Sequence, residues 1–463
     1  MSSGPDHAAQ VGRGARVVEK YLRVHAEPEA RVAERIDRDY GRVLVVPAFR
    51  EAPSFLSNLR PACRAARGRT LCLVVVNAPE DAEEPARWQT AELATQLRAH
   101  LQAPRRLSET PPIWLGDAGE MDVLVVDRTA PAWCLPRRQG VGRARRIGGD
   151  LALALWHSGR VGSAQVFFTD ADASLPEGYF AMASEGHPDC PVASAFVYPF
   201  THDRSFEPAL DRATCLYELS LRYYVLGLAW AGSPYAMHTI GSTLAVDHQA
   251  YAVVRGVPPR AAGEDFYLLD KLAKVAPVRR LSGEPIRIAA RRSSRVPFGT
   301  GPQVAKIEGA ERAGSGFGLY HPRTFSLLGS WLELLSWLAE HRDVRRLRWE
   351  VEQTELAPLA DVLLESASCR ALDGALAQAP DRSQLLRRLH TWFDALRTLK
   401  LVHAIRDRLL APLPWTDALA QAAFLGDAPR AALRDPLTAS AALSEAERRL
   451  SACLGPTLPI AKR

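Results

Sequence analysis

Apolar residues gather into short dense runs early in the chain: RVLVVPAF from Arg42, TLCLVVVN from Thr70, MDVLVVDR from Met121 and AQVFFTD from Ala164. Unbroken runs of valine and leucine predict strands buried on both faces, since a strand with one wet face would alternate apolar with polar. Between them, Ser54–Ala66, Glu84–Leu101 and Arg143–Trp156 read as helices. Strand alternating with helix predicts an α/β fold with a doubly wound sheet, whose ligands sit at the carboxyl ends of the strands. Pro47, Asn77, Asp127 and Asp170 all fall at those ends.

The pattern changes on either side. Residues 1–40 are polar, with one helical segment, VVEKYLRVHAEPEARVAERI, interrupted at Pro28. Residues 205–230 read as helix, GSTLAVDHQAYAVVRG as a short strand and a helix ending at Gly256, and GEDFYLLDKLAKV as the start of another helix. PVRRLSG and PIRIAA read as strands, followed by the loop RRSSRVPFGTG. From about Tyr320 to Ala423 apolar residues recur at three- and four-residue spacing, which predicts helices throughout. The expected organisation is an N-terminal extension over 1–40, an α/β domain over 41–310 and an all-helical domain over 311–463.

Composition narrows the function. Of 463 residues, 47% are hydrophobic and 24% charged, an ordinary globular balance. The net charge is +6, but 58 basic residues face 52 acidic ones and no long block of one sign stands out, so nucleic acid is not an expected partner. The seven cysteines show no CxxC pair, which suits a reducing compartment. The N-terminus lacks the apolar core of a secretory signal. The longest uncharged stretch, Tyr223 to Val246, contains Gly227, Gly232, Pro234, His238 and Gly241 and predicts a buried helix followed by a loop rather than a membrane span. A cytoplasmic location is expected, with peripheral membrane contact or homo-oligomer formation left open for the helical region.

The chemistry concentrates in VFFTDADASLP. Asp170 and Asp172 end an apolar strand one residue apart, so both point into the same loop space. They repel unless a cation neutralises them, and Mn2+ or Mg2+ with a substrate diphosphate is the hard-oxygen combination that suits; an Asp-rich turn after a strand is the alternative reading. In VVPAFRE, Phe49 offers a face for stacking on a base and Glu51 an acceptor. In PRRQGVGRARRIGGD, Gly140 and Gly142 allow close backbone approach while Arg143, Arg145 and Arg146 bring positive charge to the ligand edge, an arrangement suited to phosphate. This is neither a Walker loop nor a GxGxxG fingerprint. Glu264 and Asp265 open a helix and supply a candidate general base, with helix capping as the alternative role. Arg291, Arg292 and Arg295 stand in a glycine-containing loop that could neutralise a departing diphosphate.

Taken in order, PAFRE, Asn77, the basic glycine loop, DAD and GEDFYLLDKL resemble the family 2 glycosyltransferases of the GT-A fold, over roughly residues 42–300. PAFRE is similar to that family's P-A-[YF]-N-E, VFFTDADASLP to its strand-D-x-D core, and GEDFYLLDKL to its ED-x-x-L segment. The resemblance implies a GT-A-type mixed sheet with helices on both faces, and metal-dependent transfer of a sugar from a nucleotide-diphosphate donor to an acceptor hydroxyl. It assigns Asp172 and Asp170 to the metal, Asp170 also to the ribose, and Asp265 to the base with Glu264 orienting it. Pro47, Ala48, Phe49, Glu51, Asn77, Gly142, Arg143, Arg146, Asp170, Arg292 and Arg295 become the expected nucleotide-sugar contacts. Asn77 replaces the family's usual acidic residue, which leaves UDP and GDP both open as the donor nucleotide. Arg50 replaces its usual asparagine, and the QxxRW motif and spanning helices of its membrane synthases are absent. His238 has two readings, a hydrogen-bonded core histidine or a third metal ligand. As a metal ligand it implies retention, as in glucosyl- or mannosyl-glycerate enzymes, in place of an inverting single displacement. The alternatives are a nucleotidyltransferase, for which the glycine-rich basic loop after the first strand is missing, and a catalytically silent nucleotide-sugar-binding scaffold.

Overall fold

A computed structural model describes residues 5–185, 192–292, 299–426, 435–450 and 452–456. The chain divides into two compact units: one comprises residues 1–203 and 239–302, the other 204–238 and 303–463.

The first unit is α/β and is built on a large mixed sheet. Its strands are β1 (Arg42–Ala48), β2 (Thr70–Asn77), β3 (Gln102–Glu109), β4 (Pro112–Asp117), β5 (Met121–Arg128), β6 (Gln165–Phe168), β7 (Ala173–Ser174), β8 (Ala195–Val197), β9 (Phe200–His202), β10 (Leu244–Asp247), β11 (Val278–Arg280) and β12 (Ile286–Ile288). Within this unit the main sheet runs β11-β8-β10-β6-β1-β2-β5-β4-β3. The four apolar runs become β1, β2, β5 and β6, which are parallel neighbours. Residues Val43 to Val46 and Leu71 to Val76 are all fully buried. Consecutive burial means both faces are covered, as the unbroken apolar runs require.

Two features depart from a purely parallel reading. Strands β3 and β4 form an antiparallel hairpin that extends the sheet beyond β5. On the other side β10 is inserted antiparallel between β6 and β8. A second, small sheet runs in the order β7-β12-β9 and takes its first strand from the segment that follows β6. It carries the loops described below, since Ala173 pairs with Ile288 and Ser174 with Arg287.

The helix Gly140–His157 packs on β1 and β2. At Gly148 a Cβ would collide with the Val45 side chain, so glycine lets the helix axis approach the sheet. The same helix anchors the N-terminal segment through Asp150, which is fully buried. Tyr21 Oη donates to Asp150 Oδ1 at 2.6 Å, Tyr251 Oη at 2.8 Å, and the Glu27 N–H to Oδ2 at 2.8 Å. Burial raises the Asp150 carboxyl to about 6, against the lowering effect of these donors.

The second unit is mainly helical. Its core includes Phe325, Trp331, Leu335, Leu389 and Val402. The helix Pro208–Trp230 packs against Pro436–Arg448, and between them lies a buried polar network. Arg222 donates to Glu218 Oε1 at 2.8 Å and to Glu447 Oε2 at 2.6 Å, while Ser440 Oγ donates to Glu218 Oε1 at 3.1 Å. The uncharged stretch from Tyr223 is helix up to Trp230 and loop after it, as expected. Among the described residues no helix is long and apolar enough to cross a membrane.

Candidate active site

The carboxyl end of β6 is the centre of the site. Val43, Leu44 and Val45 of β1 pair with Val166, Phe167 and Phe168, and the Thr169 N–H continues the ladder by donating to Val45 O at 3.1 Å. This delivers Asp170 beside the β1 end, with Pro47 and Ala48 buried at the last positions of β1. Thr169 itself is fully buried, and its Oγ1 has no hydrogen-bond partner among the described residues.

Of the three arginines on the glycine-bearing helix, one enters this space. Arg145 is 5% exposed and pairs with both Asp170 Oδ1 and Glu264 Oε1. Its guanidinium lies against Gly241, where a Cβ would overlap it. Arg143 and Arg146 face another way. Arg143 pairs with Glu27 Oε2 at 3.0 Å, and Arg146 donates to His25 O at 2.6 Å and approaches Asp150 Oδ2 at 3.6 Å. Both serve the N-terminal segment. Gly142 does make a close approach, but to the chain's own backbone: its N–H donates to Arg260 O at 2.9 Å, and a Cβ there would collide with the backbone of Pro258 and Arg260.

Gly263, at φ 71, turns the chain into the helix Glu264–Val275 and sets the acidic pair in its first turn. Glu264 is 3% exposed and is neutralised by Arg145. Asp265 is partly exposed, and its Oδ1 accepts from the Phe266 N–H at 2.7 Å. Burial holds the Asp265 carboxyl above the usual carboxylate range; Arg145 and the N–H groups of Phe266 and Gly241 oppose this, while Asp170 adds to it.

A second arginine comes from the segment after β12. The Ala289 N–H donates to Asp172 O at 2.9 Å, which ties that segment to the D-x-D turn. Arg291 then grips Glu51 in a fork, Nη1 to Oε2 at 2.9 Å and Nη2 to Oε1 at 2.8 Å, while Nη2 also reaches Asp172 Oδ2 at 2.6 Å. Glu51 follows Arg50, whose φ of 57 is left-handed, a strained setting for a residue with a side chain. The structure therefore gathers Glu51, Asp170, Asp172, Glu264 and Asp265 around Arg145 and Arg291.

The remaining expected residues are distributed as follows. Phe49 is half-buried just past β1 and Arg292 is exposed. Asn77 ends β2, 4% exposed, and its Oδ1 has no hydrogen-bond partner among the described residues. Arg295 lies outside the described residues. His238 lies in the second unit, where its Nε2 is 2.6 Å from Glu447 Oε1. Among the described residues no group of three or more His, Cys, Asp or Glu side chains stands ready to hold a metal ion. The contacts expected from sequence include Arg143 and Arg146 and leave out Arg145, the one of the three that pairs with Asp170 and Glu264. The available signal was its position three residues after Gly142 and four before Gly149, on the face of the helix that small residues bring closest to the rest of the fold.

No protein-family model matches this chain, and no curated protein matches it. Fold and geometry define a coarse class: an α/β protein with a carboxylate–arginine site at the carboxyl ends of its parallel strands, joined to a helical unit.

Proposed function

We propose that this protein is a metal-dependent glycosyltransferase of GT-A type, moving a sugar from a UDP- or GDP-sugar to an acceptor hydroxyl. The observation that carries the proposal is the meeting, through Arg145, of the carboxylate pair at the β6 end with the acidic pair that opens the helix at Glu264. These are the two halves of the chemistry such a transfer needs, a diphosphate anchor and a base. They lie at the strand ends where α/β sheets bind ligands.

Asp170 and Asp172 would hold the cation. They offer only hard carboxylate oxygens, the donor type that Mg2+ and Mn2+ share with a substrate diphosphate. When bound, the cation offsets the charge that develops on the leaving diphosphate. Asp265 takes the proton of the acceptor hydroxyl as that oxygen bonds to the anomeric carbon. The bond from that carbon to the diphosphate breaks with its electron pair on the departing oxygen. The Phe266 N–H donates to Asp265 Oδ1 and orients its carboxylate. Its raised proton affinity makes it a stronger base than an exposed aspartate. Arg145 neutralises Glu264 and offsets part of the repulsion among the carboxylates of the site.

Incubating the full chain and Mn2+ with a panel of nucleotide sugars tests the proposal by release of nucleoside diphosphate. Asp172→Ala is expected to lose donor turnover. Asp265→Asn is expected to lower transfer about 10²-fold or more while calorimetry shows nucleotide still bound. Turnover unchanged in Asp172→Ala removes the metal assignment, and loss of nucleotide binding in Asp265→Asn makes that residue structural.

A further inference from the structure

The Arg291 guanidinium occupies Asp172 Oδ2, one of the oxygens that a cation at the D-x-D pair would require. It cannot drift far away. Its segment is pinned to the D-x-D turn by the Ala289–Asp172 backbone bond, and its fork is seated on Glu51 by two further bonds. Arg291 thus has two unequal attachments. The Glu51 seat is bidentate, the stronger and more directional kind of charge-assisted bond. The Asp172 contact uses a single Nη2 that Glu51 already shares.

We propose that Arg291 is an exchangeable internal counterion: it holds the D-x-D site closed to free cation, and moves to the diphosphate when cation and nucleotide arrive together. This rests on the donor reading given above. A divalent cation on Asp172 repels the guanidinium, so the Asp172 contact breaks first while the Glu51 seat keeps the side chain at the site. The Nη2 donor so released is then available to a diphosphate oxygen, which arrives with the cation and offers the negative charge that Asp172 no longer supplies. Cation alone must displace Arg291 with nothing to receive it. Nucleotide alone finds Arg291 held by Asp172. Together they remove both penalties, so each raises the affinity for the other by the same factor.

The test is Mn2+ binding to the full chain, read by the loss of the free-ion paramagnetic resonance signal, without nucleotide and with UDP or GDP. In the unaltered protein Mn2+ should bind weakly alone and markedly tighter with the nucleoside diphosphate. In Arg291→Gln, Mn2+ alone should bind about tenfold tighter, the size expected when a competing charged contact is removed. The nucleotide should then enhance Mn2+ binding less than in the unaltered protein. Adding Asp172→Asn to Arg291→Gln should abolish the gain. Should Arg291→Gln fail to fold, Arg291→Lys keeps the charge, loses the fork on Glu51 and should give a smaller shift in the same direction. Unchanged or weaker Mn2+ binding in the folded variant overturns the exchange and leaves the donor reading intact. Absence of Mn2+ binding in every variant, with or without nucleotide, overturns both.

Discussion

Gly241 and Gly142 show how one residue type serves two purposes. A Cβ at Gly241 meets the far end of Arg145, a flexible group that can shift, whereas a Cβ at Gly142 meets backbone that cannot. Gly241→Ala is therefore expected to push the buried Arg145 off Asp170 and Glu264, lowering donor turnover and also costing stability, since Glu264 is left buried without its partner. Gly142→Ala should cost about 1–3 kcal/mol by overpacking while leaving Arg145 in place; donor turnover of the two folded variants separates them. Asp265 adds a pH limb. A base held above the ordinary carboxylate range must lose its proton to act, so transfer should rise with pH through that elevated value. A kcat/KM profile whose acid limb sits at or below the ordinary aspartate value would remove this assignment. At this scale the sequence was half legible. DAD announced itself because an apolar strand ends in two carboxylates. The choice among Arg143, Arg145 and Arg146 depended on helix orientation, since successive residues point about 100° apart.

The helix Gly140–His157 is the element on which most depends. One face holds Arg145 in the site, another receives β1 at Gly148, and Asp150 binds the N-terminal segment. Because burial raises the Asp150 pKa to about 6, the folded state binds a proton that the unfolded state releases near the ordinary value of about 3.8. The stabilising contribution is complete below the lower value and is lost as pH rises through the upper one, by about 3 kcal/mol in full. Asp150→Asn should flatten the dependence of unfolding free energy on pH between about 4 and 6 relative to the unaltered protein. The parallel strands were legible as apolar runs. The β3–β4 hairpin was not, because an edge strand carries the charges and proline of QAPRRLSE in place of apolar alternation, and β3 is largely exposed.

At the scale of the whole molecule, each unit carries its own buried titratable groups. His248 in the first unit is fully buried and stacked on Trp156 at 5.1 Å, and burial pushes its pKa down to about 3. Burial pushes His390 in the second unit down to about 4. A depressed value means stability present above the unfolded value of about 6.5 and lost as pH falls toward the folded one. Replacing both by phenylalanine should weaken the acid dependence of unfolding below about 6.5, measured by circular dichroism over a pH series. In the second unit, Glu447→Ala removes one partner from the buried Arg222 and His238 and should destabilise that unit by about 3–5 kcal/mol.

Local pattern alone determined where the parallel strands lie, that carboxylates close β6, and that an acidic pair opens a later helix. These features are written in contiguous residues, whose periodicity and turn chemistry need no partner from elsewhere. Pairings across long separations were decided by the tertiary structure. Arg145 finds Glu264 across 119 positions, Arg291 finds Glu51 across 240, and His238 finds Glu447 across 209. No local signal encodes such contacts, because a charged side chain reads the same in sequence whether water or a buried carboxylate satisfies it. Burial makes the difference physically: once desolvated, each of these groups requires a partner, and the folded chain supplies it.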